Sequence, residues 1–312
     1  MSQYVFGVDI GGTTVKLGYF DTEGNVLDKW EIPTRKEDNG SRILPDVAAS
    51  IEKKIKDAGI DRKDVAGVGV GAPGPVDSKG VIYKAANLGW GVFSIKETLE
   101  NILKLPVMAG NDANVAALGE MWKGGGQGYK DLVVVTLGTG VGGGIIVNGK
   151  MLTGANGAGG EIGHIHVEDD EHETCGCGNR GCLEQYSSAT GVTRLAKRKL
   201  EKTTQDSVLR TTTLSAKSVF DAVKAKDPVA MEIAEQFGQY LGEGLAAIAC
   251  VTNPEAFVIG GGVSKAGSVL IDYIRPYYQK AVFHADRDVK FELATLGNDA
   301  GIYGAAKLVL DR

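Results

Sequence analysis

The apolar positions of the chain follow two different periods, and the change of period marks where strands give way to helices. Runs rich in branched apolar residues predict strands at residues 4–10, 15–20 and 26–32, joined by short glycine-containing turns. This pattern is typical of an antiparallel meander. Apolar residues at helical spacing then predict a helix over residues 41–58, and Gly59 is a suitable stop signal.

Strands and helices alternate through the rest of the chain. Strands are predicted at 65–70, 107–109, 131–137, 141–147, 256–259 and 289–295, and helices at 95–103, 112–122, 215–224, 228–249, 264–281 and 300–310. Residues 183–251 as a whole are predicted to be mostly helical. The strand, glycine turn and strand at 131–147 repeat the plan of the N-terminus, which suggests two duplicated halves. The alternation predicts a layered α/β protein.

The length and net charge of the chain limit the number of domains and the classes of partner that it can have. The chain has 312 residues, 43% of them hydrophobic and 23% charged, which suggests about two domains. Its net charge of −5 disfavours a nucleic-acid partner. The N-terminus lacks the pattern of a secretory signal, and no uncharged apolar run approaches the roughly 18 residues that span a bilayer. We therefore expect no membrane contact and a cytoplasmic location.

Three of the four cysteines, Cys175, Cys177 and Cys182, lie within eight residues. The glycines between them let the chain turn tightly around an ion, and three thiolates would fill three corners of a tetrahedron. An imidazole from His164 or His166 can fill the fourth corner, and spacing alone does not choose between them. Without a secretory signal, such a cluster favours a structural zinc site over disulfides.

Two glycine–threonine turns are candidates for phosphate binding. The first comprises Asp9, Gly11, Gly12, Thr13, Thr14 and Lys16, and the second Gly138, Thr139 and Gly140. Glycine lets backbone amides approach phosphate oxygens, and the hydroxyls and the lysine add donors. Asp9, at the end of a predicted strand, is placed to hold Mg²⁺ through water. Neither turn has the spacing of a P-loop or of a dinucleotide fingerprint, and an ordinary glycine hairpin is the alternative.

A third glycine cluster lies at a predicted strand-to-helix junction. It comprises Gly260, Gly261 and Gly262, whose missing side chains would leave a flat slot suited to adenosine. Close packing of the strand on the helix explains the same residues equally well.

Asn111 and Asp112 lie between a predicted strand and a predicted helix. Open α/β folds bind ligands at the carboxyl ends of their strands. Asp112 could there accept the proton of a sugar hydroxyl as that oxygen attacks a γ-phosphoryl group, with Asn111 orienting the sugar. The alternative is that Asp112 simply caps the helix.

Together these motifs resemble those of the repressor, open-reading-frame and kinase (ROK) family of sugar kinases, most closely its bacterial glucokinases. The similarity covers essentially the whole chain and is most specific at residues 160–164 and at the Cys-x-Cys-Gly-x-x-Gly-Cys-x-Glu element ending at Glu184. It implies a two-domain, actin-like or ribonuclease H-like ATPase fold with an inter-domain cleft and a zinc loop at 164–184. The implied domains are residues 1–122 with 299–312, and residues 123–298.

The resemblance also implies roles for individual residues. Asp112 would be the general base, the sugar would be bound by Gly74, Asn87, Asn111, Asp112, Glu161, His164 and Glu184, and the zinc by His164, Cys175, Cys177 and Cys182. ATP with Mg²⁺ would occupy the three glycine segments. The implied reaction is phosphorylation of the 6-hydroxyl of glucose.

Several alternatives stay open within this resemblance. The substrate could instead be fructose, mannose, allose or N-acetylmannosamine, and the phosphoryl donor could include polyphosphate. A sugar-sensing repressor is disfavoured because the first phosphate motif begins at residue 9 and the charge is acidic. A homodimer or homotetramer is implied, although the small residues of the helix at 228–249 (Gly238, Gly242, Ala246 and Ala249) equally suit packing within the chain.

Overall fold

A computed structural model describes residues 3–312. Its first elements are β1 Tyr4–Ile10, β2 Thr14–Asp21, β3 Val26–Pro33, the short α1 Glu37–Gly40, α2 Ile43–Asp57, β4 Val65–Ala72, β5 Val81–Ile82, β6 Phe93–Ser94, α3 Ile95–Leu103, β7 Val107–Asn111 and α4 Asp112–Lys123. There follow β8 Leu132–Leu137, β9 Val141–Val147, β10 Lys150–Met151, α5 Glu184–Ser187, α6 Ala189–Lys202, α7 Ala216–Lys224, α8 Pro228–Thr252, β11 Ala256–Gly260, α9 Val269–Ala281, β12 Lys290–Leu293 and α10 Ala300–Leu310.

The described chain divides into two compact units. Unit 1 contains the residues up to Lys130 together with Gly144–Gly160 and Leu296–Arg312, and unit 2 contains Asp131–Gly143 and Glu161–Thr295. The α/β class expected from the alternation of elements is confirmed. The domain boundaries given by the resemblance, at 122/123 and 298/299, stay a prediction.

The sheet of unit 1 has the strand order β3-β2-β1-β4-β7. The meander of β1, β2 and β3 is antiparallel, as predicted, whereas β4 and β7 run parallel to β1. The carboxyl ends of β1, β4 and β7 therefore meet at one edge of the sheet. Asp9 is in register with Gly71, and Gly71 with Gly110, so the first phosphate turn and the Asn111–Asp112 pair lie along that edge.

Glycines allow the C-terminal helix α10 to lie directly on this sheet. A β-carbon on Gly7 of β1 would lie 2.0 Å from the carbonyl oxygen of Ile302, and one on Gly69 of β4 would lie 1.7 Å from that of Ala305. Gly7 and Gly69 are paired in register, so together they form a groove for the helix backbone. Helix α10 also crosses α4 closely, because Gly119 approaches the carbonyl oxygen of Ala300. The helix that begins at Asp112 is thereby fixed to the sheet.

The second sheet has the order β10-β9-β8-β11-β12, and the boundary between the units falls inside β9. Strands β8, β11 and β12 are parallel. Within unit 2, α8 packs on α9 through two of the small residues noted in the sequence. β-Carbons on Gly238 and Gly242 would lie 2.2 and 2.7 Å from carbonyl oxygens of α9. This part of the small-residue face therefore serves packing within the chain.

The element boundaries differ from the predictions in a few places. The helix predicted at 264–281 begins only at Val269, because Gly267 has a φ of +86° and ends the short 3-10 turn that precedes it. Residues 203–214 contain only a short 3-10 turn, although the surrounding region is helical as predicted. Within residues 3–312, none of the helices combines the length and apolar character needed to span a bilayer.

Candidate active site

Asn111 and Asp112 lie at the junction of β7 and α4. The Asn111 side-chain oxygen accepts hydrogen bonds from the backbone amides of Ala113 (3.0 Å) and Asn114 (3.1 Å), so Asn111 caps the helix. Asp112 is the first residue inside the helix, where the partial positive charge of the helix N-terminus lies beside its carboxylate. The capping role that was the alternative for Asp112 therefore belongs mainly to Asn111. The amide of Asn111 in turn donates to the carbonyl of Gly74 at 3.1 Å.

Gly74 and Asn87, both expected on the sugar side, lie in unit 1. Gly74 has a φ of +112°, and a β-carbon there would lie 2.3 Å from the Lys84 carbonyl oxygen, so the backbone itself requires glycine. Asn87 is exposed in a short 3-10 turn. Its side-chain nitrogen would lie 3.9 Å from a β-carbon built on Gly12, which places Asn87 beside the first glycine turn.

Asp9 is a half-buried carboxylate at the end of β1. Burial and the nearby Asp112 carboxylate raise the pKa of Asp9 to about 6, although Lys16 acts in the opposite direction. Lys16 is paired with Asp9 across the hairpin register. Two carboxylates close enough to oppose each other's ionisation form a site that favours a cation.

The first glycine turn is held by its own backbone and by Thr34, the residue that follows β3. The amide of Gly11 donates to the carbonyl of Thr14 at 3.0 Å, and the hydroxyl of Thr34 donates to the carbonyl of Gly11 at 2.7 Å. Thr13 is exposed at the apex. This turn is thus preformed, with its threonines at the surface of unit 1.

The second glycine turn, at Gly138–Gly140 in unit 2, is held differently. The amide of Gly138 donates to the carbonyl of Gly140 at 3.0 Å, and the amide of Ala189, the first residue of α6, donates to the carbonyl of Gly138 at 2.8 Å. The carboxylate of Glu184 lies directly against the turn, and the amide of Val141 donates to its Oε2 at 3.4 Å. The second turn is therefore in contact with a residue of the cysteine loop.

The third glycine cluster has a packing explanation for two of its three members. Gly261 has a φ of +83°, and a β-carbon there would lie 2.6 Å from backbone atoms of Leu137. A β-carbon on Gly260 would lie 3.0 Å from that of Ala294, whereas no described atom lies within 4 Å of one on Gly262. Gly262 is therefore the glycine of this cluster beside which the absence of a side chain leaves open space.

Four predicted metal ligands come together in unit 2. The ligand atoms of His164, Cys175, Cys177 and Cys182 all lie within 4.8 Å of one another. The Cys175 Sγ is 3.7 Å from His164 Nδ1, and the Cys177 and Cys182 Sγ atoms are 3.6 Å apart. Ligands on a tetrahedral zinc are separated by roughly 3.5–3.8 Å, so this donor set fits the ion. Cys250 lies outside the cluster, exposed on α8.

The structure also decides between the two candidate histidines. His166 is exposed, and its ring nitrogens lie 3.0 Å from the carbonyl oxygen of Arg180 and 2.8 Å from a carboxylate oxygen of Asp169. Only His164 directs a nitrogen at the sulfur atoms. Burial raises the pKa of the Cys175 thiol, so a thiolate there needs a neighbouring cation.

The two nitrogens of His164 face different groups. Nδ1 is directed at the cluster, 3.7 Å from the Cys175 Sγ and 3.9 Å from Glu184 Oε1. Nε2 lies 3.9 Å from Glu161 Oε2, away from the sulfur atoms. Glu161, His164 and Glu184 thus form one polar group around the candidate metal site.

Sequence reasoning missed the ion pairs that hold the cysteine loop. Glu171 is buried, and its carboxylate accepts hydrogen bonds from Arg194 (3.0 Å) and Arg198 (2.9 Å) of α6 and from the hydroxyl of Tyr186. Burial by itself would raise the pKa of Glu171, but the hydrogen bonds from Arg198 and Tyr186 and the charge of Arg194 lower it to about 2. The four-residue spacing of Arg194 and Arg198 on one helix face was the signal that could have indicated an acidic partner.

The predicted site residues therefore form two groups. Unit 1 holds Asp9, Gly11, Gly12, Thr13, Thr14, Lys16, Gly74, Asn87, Asn111 and Asp112, and unit 2 holds Gly138, Thr139, Gly140, Glu161, His164, Cys175, Cys177, Cys182, Glu184, Gly260, Gly261 and Gly262. The first group offers carboxylates and a glycine turn. The second offers a metal-ligand cluster, a polar group beside it and further glycine turns.

Known proteins resemble the chain over nearly its full length. A family model described as the ROK family matches residues 5–312. A glucokinase of Halalkalibacterium halodurans is 44% identical, covering 98% of this chain and 95% of that protein. The N-acetylgalactosamine kinase AgaK of a Shewanella species is 33% identical, covering 97% and 96%. A crystal structure of a ROK family glucokinase from Streptomyces griseus, in complex with glucose and AMPPNP, has a TM-score of 0.76 and 36% identity and covers 98% of both chains.

Proposed function

This chain belongs to the ROK family, and from that premise we propose that it is an ATP-dependent glucokinase that phosphorylates the 6-hydroxyl of glucose. The observation that carries the proposal is the position of Asp112, at the carboxyl end of β7 and beside the half-buried Asp9. The names of its relatives and the glucose and AMPPNP bound to the Streptomyces griseus enzyme support the same activity.

In the proposed mechanism Asp112 is the general base. Its carboxylate accepts the proton of the 6-hydroxyl as that oxygen attacks the γ-phosphorus of ATP, the bond from the γ-phosphorus to the bridging oxygen breaks, and ADP leaves. Asn111 holds the start of α4 through its capping bonds and its bond to Gly74, so the carboxylate is presented from a fixed backbone. Asn87 and Gly74 would contact the sugar on the same side.

Glu161, His164 and Glu184 are proposed to bind the remaining sugar hydroxyls. The Nε2 of His164 faces away from the cysteines, which leaves it able to hydrogen bond to a hydroxyl while Nδ1 is held by the metal site. Zinc, held by His164, Cys175, Cys177 and Cys182, would have four protein ligands and would act as a structural ion that fixes this loop.

The nucleotide is proposed to bind through the glycine turns. Backbone amides and hydroxyls of residues 11–14 and 138–140 would contact the phosphates, and Gly260–Gly262 would border the adenosine. Lys16 would add positive charge beside the first turn. Asp9 is the proposed holder of Mg²⁺, which when bound neutralises charge on the phosphates.

Three finer expectations accompany the proposal. We infer that the enzyme acts in the cytoplasm, that it forms a homodimer or homotetramer, and that it does not require nucleic acid. Gel filtration with light scattering measures the assembly directly.

Substitution of Asp112 by asparagine tests the mechanism. The change keeps the size of the side chain but removes the proton acceptor, so kcat should fall roughly 10²- to 10⁴-fold while AMPPNP binding changes little. Asp57→Asn is the matched control, because Asp57 is an exposed carboxylate paired with Lys53 at the end of α2. A rate near that of the unaltered protein in Asp112→Asn would reject the assignment.

A second candidate activity is phosphorylation of another sugar. It is favoured by the 33% identity to an N-acetylgalactosamine kinase. A coupled assay with glucose, fructose, mannose, allose, N-acetylmannosamine and N-acetylgalactosamine, each with ATP and with polyphosphate, compares the candidates by kcat/KM. Glucose with ATP should give the highest value, and a higher value for any other pair would replace the proposed substrate or donor.

A further inference from the structure

One carboxylate of unit 2 contacts two of the predicted motifs at once. The Oε1 atom of Glu184 lies 2.9 Å from the Sγ of Cys175, in the candidate metal cluster. Its Oε2 atom accepts the amide of Val141, at the second glycine turn. The Glu184 side chain is only 22% exposed, so both contacts are made from a largely enclosed position.

Gly140 leaves the space that this carboxylate occupies. A β-carbon at position 140 would lie 2.4 Å from Oε2 of Glu184 and 3.5 Å from its Cδ. Real carbon–oxygen contacts are not that short, so any side chain at position 140 would displace the carboxylate. Gly140 does not have a positive φ, so the backbone conformation alone does not require glycine here.

The rest of the turn is held more firmly than the carboxylate. Backbone hydrogen bonds join Gly138 to Gly140 and Ala189 to Gly138. Glu184, by contrast, reaches the turn with the end of a flexible side chain. A methyl group at position 140 would therefore move the carboxylate and leave the turn in place.

We propose that Gly140 is a positioning residue for Glu184. Its missing side chain keeps the Glu184 carboxylate between the second glycine turn and the cysteine cluster, where it binds the sugar. Glycine at position 140 would thus serve the sugar and the metal loop, in addition to the approach of phosphate expected from the sequence. This inference rests on the proposed function, because it takes Glu184 to be a sugar ligand.

Glucose binding to Gly140→Ala, measured by calorimetry without nucleotide, tests the proposal. Glucose affinity should fall about tenfold or more, the loss expected for one charge-assisted hydrogen bond. Gly138→Ala is the matched control: it lies in the same turn, and no described atom comes within 4 Å of a β-carbon there. Its glucose affinity should stay within about twofold, whatever happens to nucleotide binding. Equal losses in the two variants would overturn the proposal.

A shorter side chain at position 184 provides a rescue. Glu184→Asp withdraws the carboxylate by one methylene, which makes room for the methyl group of Gly140→Ala. The two changes together should bind glucose better than the product of their separate effects predicts. Simple additivity would show that the two positions act independently, against the proposal.

A metal probe separates failure of this inference from failure of the proposed function. Cobalt(II) in place of zinc gives thiolate charge-transfer bands that report on the surroundings of Cys175. Moving the carboxylate away from that sulfur should shift the bands to shorter wavelength in Gly140→Ala but not in Gly138→Ala. If the unaltered protein binds no glucose, the proposed function fails, and the cobalt spectra still decide the role of Gly140: identical spectra of the two variants would overturn it.

Discussion

The two glycine–threonine turns look alike in the sequence but are supported in different ways. The first is closed by its own backbone and by Thr34, the residue after β3, and its polar neighbours are the half-buried Asp9 and Lys16. The second is in contact with Glu184, which belongs to the cysteine loop more than forty residues further along the chain.

This difference teaches that a short motif does not specify its own surroundings. The first turn adjoins a regular strand that ends in Asp9. The ionised form of Asp9 is unfavourable there, because burial raises the pKa of its carboxyl group. The second turn contacts an irregular loop that is held by the ion pairs of Glu171 and that contains the four candidate metal ligands. Perturbing the metal loop should therefore affect one turn and spare the other.

The largest expected effect follows from Cys177→Ser. Loss of one of four ligands should abolish zinc retention and destabilise unit 2, with the order of 10 kcal/mol seen for isolated zinc-finger peptides as an upper limit. Amide hydrogen exchange should speed up at residues 138–141 and stay unchanged at residues 11–14. Cys250→Ser, an exposed cysteine outside the cluster, is the control. A stable, metal-free Cys177→Ser protein with unchanged amide hydrogen exchange would show that the second turn does not depend on the metal loop.

The next effect concerns the ion pairs that hold the loop. Glu171→Gln leaves two arginines facing a neutral partner and should cost about 3–5 kcal/mol in unfolding free energy. Glu173→Gln is the matched control, because this glutamate pairs with the same arginines but is 59% exposed, and its loss should cost about 1 kcal/mol or less. Equal costs in chemical denaturation would show that burial of Glu171 does not matter.

The contribution of the Glu171 carboxylate to the free energy of unfolding should also depend on pH. The folded-state pKa of Glu171, about 2, is below its ordinary value of 4.5. Its stabilising contribution is therefore fully present above about pH 5 and is lost as the pH falls from 4.5 towards 2, a change of roughly 3 kcal/mol. This part of the acid sensitivity should be absent from the Glu171→Gln variant.

The smallest of these effects, and one of opposite sign, is expected at the first turn. The raised pKa of Asp9 means that its ionised form opposes folding, by an amount that grows as the pH rises from 3.8 to about 6. Asp9→Asn should thus increase the unfolding free energy by up to roughly 3 kcal/mol at pH 8 and by little at pH 3.5, while turnover falls. An equal change at both pH values would show that charge is not the cause.

The regular elements and the local motifs could be predicted from the sequence, because both depend on residues that are neighbours along the chain. Strands β1 and β7, helix α10 and the three cysteine ligands could be predicted from apolar periodicity, glycines and spacing, whereas the choice of His164 as the fourth ligand came from the family resemblance. Contacts between distant segments could not be predicted. The spacing of Arg194 and Arg198 indicates an acidic partner for α6 but does not identify Glu171, and nothing local indicates that Glu184 occupies the space left by Gly140, since each contact depends on how two separate segments pack. The break at Gly267 was missed because the apolar pattern continues across it.

The groove formed by Gly7 and Gly69 has a consequence for how the polypeptide matures. The strands that form the groove are synthesised long before α10, which covers Val5 and Phe20 with Ile302, Ala306 and Val309. Until α10 has been made, this apolar sheet face lacks its cover and can bind a chaperone or another nascent chain. Unit 1 should therefore reach its native packing only once α10 is available.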